Sequence, residues 1–170
     1  MKLYKTLTII TCCLSAMYLC SSCERDDICA EDTPTTPFLI IKFMDFDTPT
    51  DIKRPDELQV KAEGFDRTEF YETNQDSILI PLRTSTLLTN FEFTINSDTE
   101  DGGDDPNTDV VSFQYTPVEE YVSSACGFRV VYNGLGETLT QEGDQNWIKD
   151  IIIEEPDVID ETNAHILIFH

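Results

Sequence analysis

The sequence is short of positive charge. It carries 11 Lys+Arg against 33 Asp+Glu in 170 residues, a formal net charge of −22. A surface of that sign repels phosphate backbones, which excludes nucleic acid as a partner, and it is repelled by anionic lipid as well. Histidine is equally scarce. The only two, His165 and His170, stand at the extreme C-terminus. A nucleophilic triad needs a base close to its nucleophile, and nothing in the pattern supplies one. Also missing are a glycine-rich phosphate loop and, beyond residue 23, a Cys-x-x-Cys pair. No stretch of ten or more residues after the leader shows a helical period. These absences leave no catalytic constellation and assign no metal and no cofactor, so a non-enzymatic role is expected. With so many carboxylates, chance pairs at glycosidase spacing carry no information.

What is present begins with the N-terminus. Residues 1–22 hold Lys2 and Lys5, no acidic residue, and an apolar run over 7–19. That is the form of a secretory signal peptide, and the run falls short of the ~20 apolar residues that a membrane span requires. Leu19-Cys20-Ser21-Ser22-Cys23 resembles a bacterial lipobox, with small Ser21 and Ser22 ahead of Cys23. Cutting before Cys20 would instead place bulky Tyr18 and Leu19 at the cut. Cleavage before Cys23 is therefore expected, with the lipid on Cys23 and a membrane attachment made by acyl chains. The expected organisation is residues 1–22 as leader, 23–36 as a lipidated N-terminal segment, and 37–170 as one domain. Removing the two leader lysines leaves 9 Lys+Arg against 33 Asp+Glu, a net charge of −24.

Of six cysteines, Cys12, Cys13 and Cys20 leave with the leader, and Cys23 is blocked by lipid. Cys29 and Cys126 remain. An even remainder in an oxidising compartment predicts a disulfide between them. Zinc is a poor alternative, because it wants four ligands and no histidine lies near either cysteine. Cys29 follows Cys23 by only six residues, so the bridge would hold the domain within roughly 20 Å of its anchor.

Short runs of alternating apolar and polar residues mark half-buried strands. They occur at Leu58, Val60 and Ala62, at Phe91, Phe93 and Ile95, at Val111, Phe113 and Tyr115, and at Cys126, Phe128, Val130 and Tyr132. Residues 38–44 form a dense apolar run expected at a sheet centre. Pro81, within the alternation of Ile78, Ile80 and Leu82, demotes that run to an edge. Trp147, Lys149, Ile151 and Ile153 form another run, and 164–169 the last. Residues 117–124 have room for one helical turn. The expected fold is all-β: a single sandwich of about eight mainly antiparallel strands, immunoglobulin- or transthyretin-like, with a barrel as second choice.

Two segments read as long loops, 96–109 and 133–146. The first is acidic, and Asp98, Glu100, Asp101, Asp104, Asp105 and Asp109 could offer hard oxygen ligands to calcium. Their spacing does not follow an EF-hand, and a solvated hairpin loop explains the charge as well. Trp147 could sit at a rim and stack on a ligand, or pack in the core in register with Ile151 and Ile153. His165 alternates with Leu167 and Phe169, which suits a satisfied half-buried side chain.

Cys23-Glu-Arg-Asp-Asp-Ile-Cys29, Tyr121-Val-Ser-Ser-Ala-Cys-Gly-Phe128 and Asn146-Trp147-Ile148 together resemble landmarks of small Bacteroidota lipoproteins classed only as a domain of unknown function. The resemblance spans the mature chain. It implies an exported, lipid-anchored β domain with Cys29 and Cys126 as fixtures, and no reaction. In that phylum, acidic residues after the lipidated cysteine, here Glu24, Asp26 and Asp27, resemble an address for the outer face of the outer membrane. Periplasmic and surface exposure both remain open. The expectation is an accessory protein docking beside an outer-membrane partner. The alternative is a small-ligand or glycan-binding module, with or without calcium, using loops 96–109 and 133–146 and Trp147.

Overall fold

The structure is a computed structural model, and it describes residues 28–64, 68–72, 75–97, 104–141 and 145–170. Cys23 and the leader lie outside them, as do Asp98, Glu100 and Asp101.

Nine strands are present among the described residues: β1 Leu39–Met44, β2 Leu58–Ala62, β3 Thr68–Glu72, β4 Ser77–Ile80, β5 Leu88–Ile95, β6 Asn107–Ser123, β7 Gly127–Leu139, β8 Asp150–Ile153 and β9 Ile166–Phe169. They form a four-stranded sheet in the order β4-β1-β9-β8 and a five-stranded sheet in the order β3-β2-β5-β6-β7. Strands β1–β4, β2–β3, β2–β5, β5–β6 and β8–β9 pair antiparallel, and β1 pairs with β9 in parallel. Both sheets keep free edges and neither closes into a barrel, so the fold is a β-sandwich.

The core is the sum of the inward faces. Leu39, Ile41, Phe43, Ile78, Ile80, Ile166 and Ile168 come from one sheet, and Val60, Phe91, Phe93, Val111 and Phe113 from the other. The densest apolar run, β1, lies between β4 and β9, as a strand with neighbours on both sides requires. Strand β4 stops at Ile80 and lies on an edge, because Pro81 has no N–H to continue a ladder.

Three local expectations are corrected. Residues 117–123 continue strand β6 and form no helical turn. Pro117 is tolerated because β5 pairing has already ended at Leu88↔Gln114, so no partner on that side needs its donor. Residues 133–139 are strand, so the second loop is shorter than the glycines suggested. Tyr132 and Leu135 are both buried although three residues apart, and Gly134, at φ 66, lies where the alternation changes phase. Phe128 does not share a buried face with Tyr132: it is exposed, and Cys126 sits in the turn ahead of β7.

The chain divides into two compact units. Of the described residues, 34–122 and 128–170 make the sandwich, and 28–33 with 123–127 belong to the smaller unit. In the smaller one Cys29 and Cys126 are joined by a disulfide with a Cα–Cα distance of 4.9 Å. The Cys126 N–H donates to Ser123 Oγ at 3.0 Å, and the Thr33 hydroxyl lies 3.5 Å from Cys126 Sγ, which as a disulfide sulfur can only accept.

Candidate functional site

Strand β6 begins earlier than its composition suggests, and that start organises the centre of the molecule. Asp109 shares parity with Val111, Phe113 and Tyr115, so its side chain lies on the core face and is 1% exposed. A carboxylate so placed must have donors. Its Oδ1 accepts from Asn146 Nδ2 at 3.0 Å and its Oδ2 from the Ile148 N–H at 2.8 Å. The Asn146 amide also donates to Thr140 O at 2.9 Å. The residues between are held from β5, where Phe93 O accepts the Trp147 indole N–H at 3.0 Å. Phe93 is the register partner of Asp109, so one cross-strand pair anchors the whole Asn146-Trp147-Ile148 turn.

Trp147 is accordingly 6% exposed and lies in the core rather than at a rim, with its ring edge-on to His170 at 5.4 Å. Its indole presents no open face for a sugar. Asp109 is likewise committed to the turn. Among the described residues no group of three or more metal-ligating side chains comes together.

A second buried polar cluster fixes the chain around Pro81. The Tyr132 hydroxyl donates to Leu82 O at 3.0 Å, and Tyr115 OH donates to Arg83 O at 3.1 Å while accepting from the Arg83 N–H at 3.0 Å. Thr89 Oγ1 closes the cluster against Tyr115 OH. Burial, helped by the neighbouring Tyr115, pushes the Tyr132 hydroxyl up to about 12. Tyr132→Phe leaves the buried Leu82 carbonyl without that donor and is expected to cost about 1–2 kcal/mol. Urea unfolding of the variant, with an unchanged m value, checks it.

Neither histidine is poised as a base. The Ile40 N–H donates to His165 Nδ1 at 3.1 Å, which requires that nitrogen to be unprotonated. His170 Nε2 lies 3.0 Å from Lys53 O, and Lys53 Nζ donates to His170 O at 2.8 Å. Burial lowers the pKa of both rings, against the opposing pull on His165 of Glu155, Asp160 and Glu161. The unfolded chain therefore takes up protons first as pH falls. The contribution of His165 to stability is complete above its ordinary value of about 6.5 and declines below it, by up to about 1.4 kcal/mol per pH unit. In His165→Asn the Oδ1 can accept from Ile40 without titrating. Comparing urea midpoints at pH 7.5 and 5.5, the wild type is expected to lose more stability than the variant.

Surface depressions are shallow. One of about 300 Å³ is lined by residues of β7 and β8 with Gln141 and Lys149. There Glu137 is shifted upward by burial and then by the Asp150 charge. The Lys149 ammonium donates to Asn146 O, which turns it toward the buried network.

The exposed apolar surface is more pointed. Beyond the β5 pairing, strand β6 runs on with β7 as a hairpin. There Tyr121 and Phe128, 61% and 66% exposed, meet edge-to-face at 5.4 Å. On the same hairpin Arg129 holds Glu120 at 2.8 Å and donates to Ile159 O at 3.1 Å. Sequence reasoning read Phe128 as an inward residue of an alternating strand. The charge-free run 121–128 was the available sign of an outward-facing tip.

Compared with known proteins, residues 57–170 match the model of a family of unknown function, DUF6452. No curated protein and no solved structure matches the chain.

Proposed function

From the premise that the chain belongs to the DUF6452 family of unknown function, we propose that it is a non-enzymatic, lipid-anchored accessory protein of a bacterial outer membrane. In this reading Cys23 carries the acyl chains and residues 1–22 are removed. The sandwich docks beside an outer-membrane protein, on the periplasmic face or at the cell surface of a Bacteroidota cell. The observation that carries the reading is the Cys29–Cys126 disulfide, six residues from a lipobox cysteine. A disulfide suits an oxidising compartment, and a tether of that length suits work at the membrane rather than across the envelope. The non-enzymatic part is supported by His165 and His170, each of which has one ring nitrogen engaged with a backbone group.

Intact-mass spectrometry of the protein extracted from its native membrane is the test. The expected species begins at Cys23, carries acyl mass on that residue and lacks two thiol hydrogens. A chain that retains residues 1–22, or an unmodified Cys23, overturns the reading. The ligand-binding alternative loses two of its supports, since Trp147 is buried and 133–139 are strand.

A further inference from the structure

In a chain with a net charge of −22, the large apolar side chains that stay exposed are informative by where they fall along the sequence. Among the described residues the four most exposed are Ile28, Leu87, Phe128 and Tyr121. Three of these four lie within five residues of a disulfide cysteine: Ile28 beside Cys29, Phe128 two residues after Cys126, and Tyr121 five before it. Leu87 is the exception, and it is far from both cysteines in sequence.

That distribution follows the covalent path from the anchor. Through Cys29, the disulfide and Cys126, Phe128 lies within roughly 35 Å of Cys23 even with every intervening link fully extended. The eight residues 121–128 carry no charge. The nearest acid on the Arg129 side, Glu120, is held in an ion pair at 2.8 Å. Strands β6 and β7 are neighbours in the sheet, so the hairpin pairs its inner backbone groups, and its outer edges take their partners from water and headgroups, which suits the interfacial layer and not the hydrocarbon. A tyrosine beside a phenylalanine, one end polar and the body apolar, is the side-chain chemistry enriched where headgroups meet acyl chains.

We propose that the Tyr121–Phe128 tip of the β6–β7 hairpin is a second membrane contact, seated in the interfacial layer of the bilayer that holds the lipid anchor. The inference rests on the lipid-anchored reading above. It assigns the contact to zwitterionic lipid, because the acidity of the chain opposes an anionic surface. Its consequence is orientation: acyl chains alone let the domain swivel, whereas a tip in the interface fixes which loops face a neighbouring membrane protein.

The test uses the acylated protein reconstituted on phosphatidylcholine vesicles with plain or brominated acyl chains. The native Trp147 is buried and supplies a constant background. Phe128→Trp introduces a reporter at the tip. Leu87→Trp introduces one at an equally exposed site, both residues being 66% exposed. The backbone of Leu87 accepts from the Tyr115 N–H, six residues back along β6 from Tyr121, about 20 Å up the strand. The expected result is a blue shift and a roughly twofold loss of the added emission on brominated vesicles for Phe128→Trp alone, as an indole at headgroup level would give. Vesicle flotation with no quenching at the tip overturns the inference and leaves the anchor standing. Equal quenching at both sites also overturns it, since the domain would lie flat. A protein that fails to float with vesicles overturns the anchored reading itself.

Discussion

Replacing Cys29 and Cys126 together by alanine is expected to destabilise the protein by about 4 kcal/mol, from the chain entropy of a closed loop of this size. The two cysteines are 97 residues apart, and six of the nine strands, β1 to β6, lie between them. Breaking the bridge lengthens the denatured chain, so most of the loss arises in the unfolded state rather than from contacts in the sandwich. That mechanism has its own signature. In guanidinium unfolding the variant shows a lower midpoint and a steeper m value, because a denatured state without the crosslink exposes more surface. Reduction of the wild-type protein gives the same shift. A lower midpoint at unchanged m would place the effect in the folded state instead. Replacing both cysteines avoids a lone thiol, whose oxidation would blur the comparison.

Much of the architecture was legible because the core is built from strict alternation. Phe91, Phe93, Val111, Phe113 and Tyr115 announce β5 and β6, and all are buried. Pro81 announced an edge. Strand β3 was not legible: Thr-Glu-Phe-Tyr-Glu offers no apolar stripe of period two, and its assignment comes from pairing with β2. The extent of β7 was hidden by Asn133, Gly134 and Gly136, residues that read as a turn although the strand runs through them with Gly134 at positive φ.

The site divides in the same way. The cysteine pair could be read from counting, since the expected leader and an expected lipid on Cys23 would leave only two thiols. By composition Asp109 belongs with the acidic loop 96–109, one carboxylate among many. Its parity with Val111 and Phe113 was already in the sequence, and it separates an inward carboxylate from outward ones. Composition outweighed register there, because a run such as Asp104-Asp105-Pro106-Asn107-Thr108-Asp109 reads as loop until the strand start is known. The partners of Asp109 lie 37 and 39 residues further on, beyond the reach of any local pattern.

Those long-range partners make Asp109→Ala the second large effect, with an expected cost of about 3–5 kcal/mol. The substitution leaves the Ile148 N–H and an Asn146 amide proton facing a void, both in buried surroundings. Hydrogen bonds to a charged acceptor contribute about 1.5–3 kcal/mol each, and two that act on one turn do not simply add. Asp109→Asn separates charge from shape: its single oxygen serves one donor while its NH₂ opposes the other, so about half of the loss is expected. A cycle with Asn146→Ala measures the coupling, expected at about 1–3 kcal/mol. The turn also carries its own reporter. Trp147 is held by Phe93 O and buried only while Asn146 and Ile148 are fixed on either side of it. Its emission in folded Asp109→Ala is therefore expected to move to longer wavelength as water reaches the indole. A variant that loses stability while its emission stays unchanged would place the cost in desolvation at Asp109 alone. A shift in both ties the carboxylate, the turn and the tryptophan into one cooperative element, which makes the Asn146-Trp147-Ile148 segment a structural fixture of the sandwich.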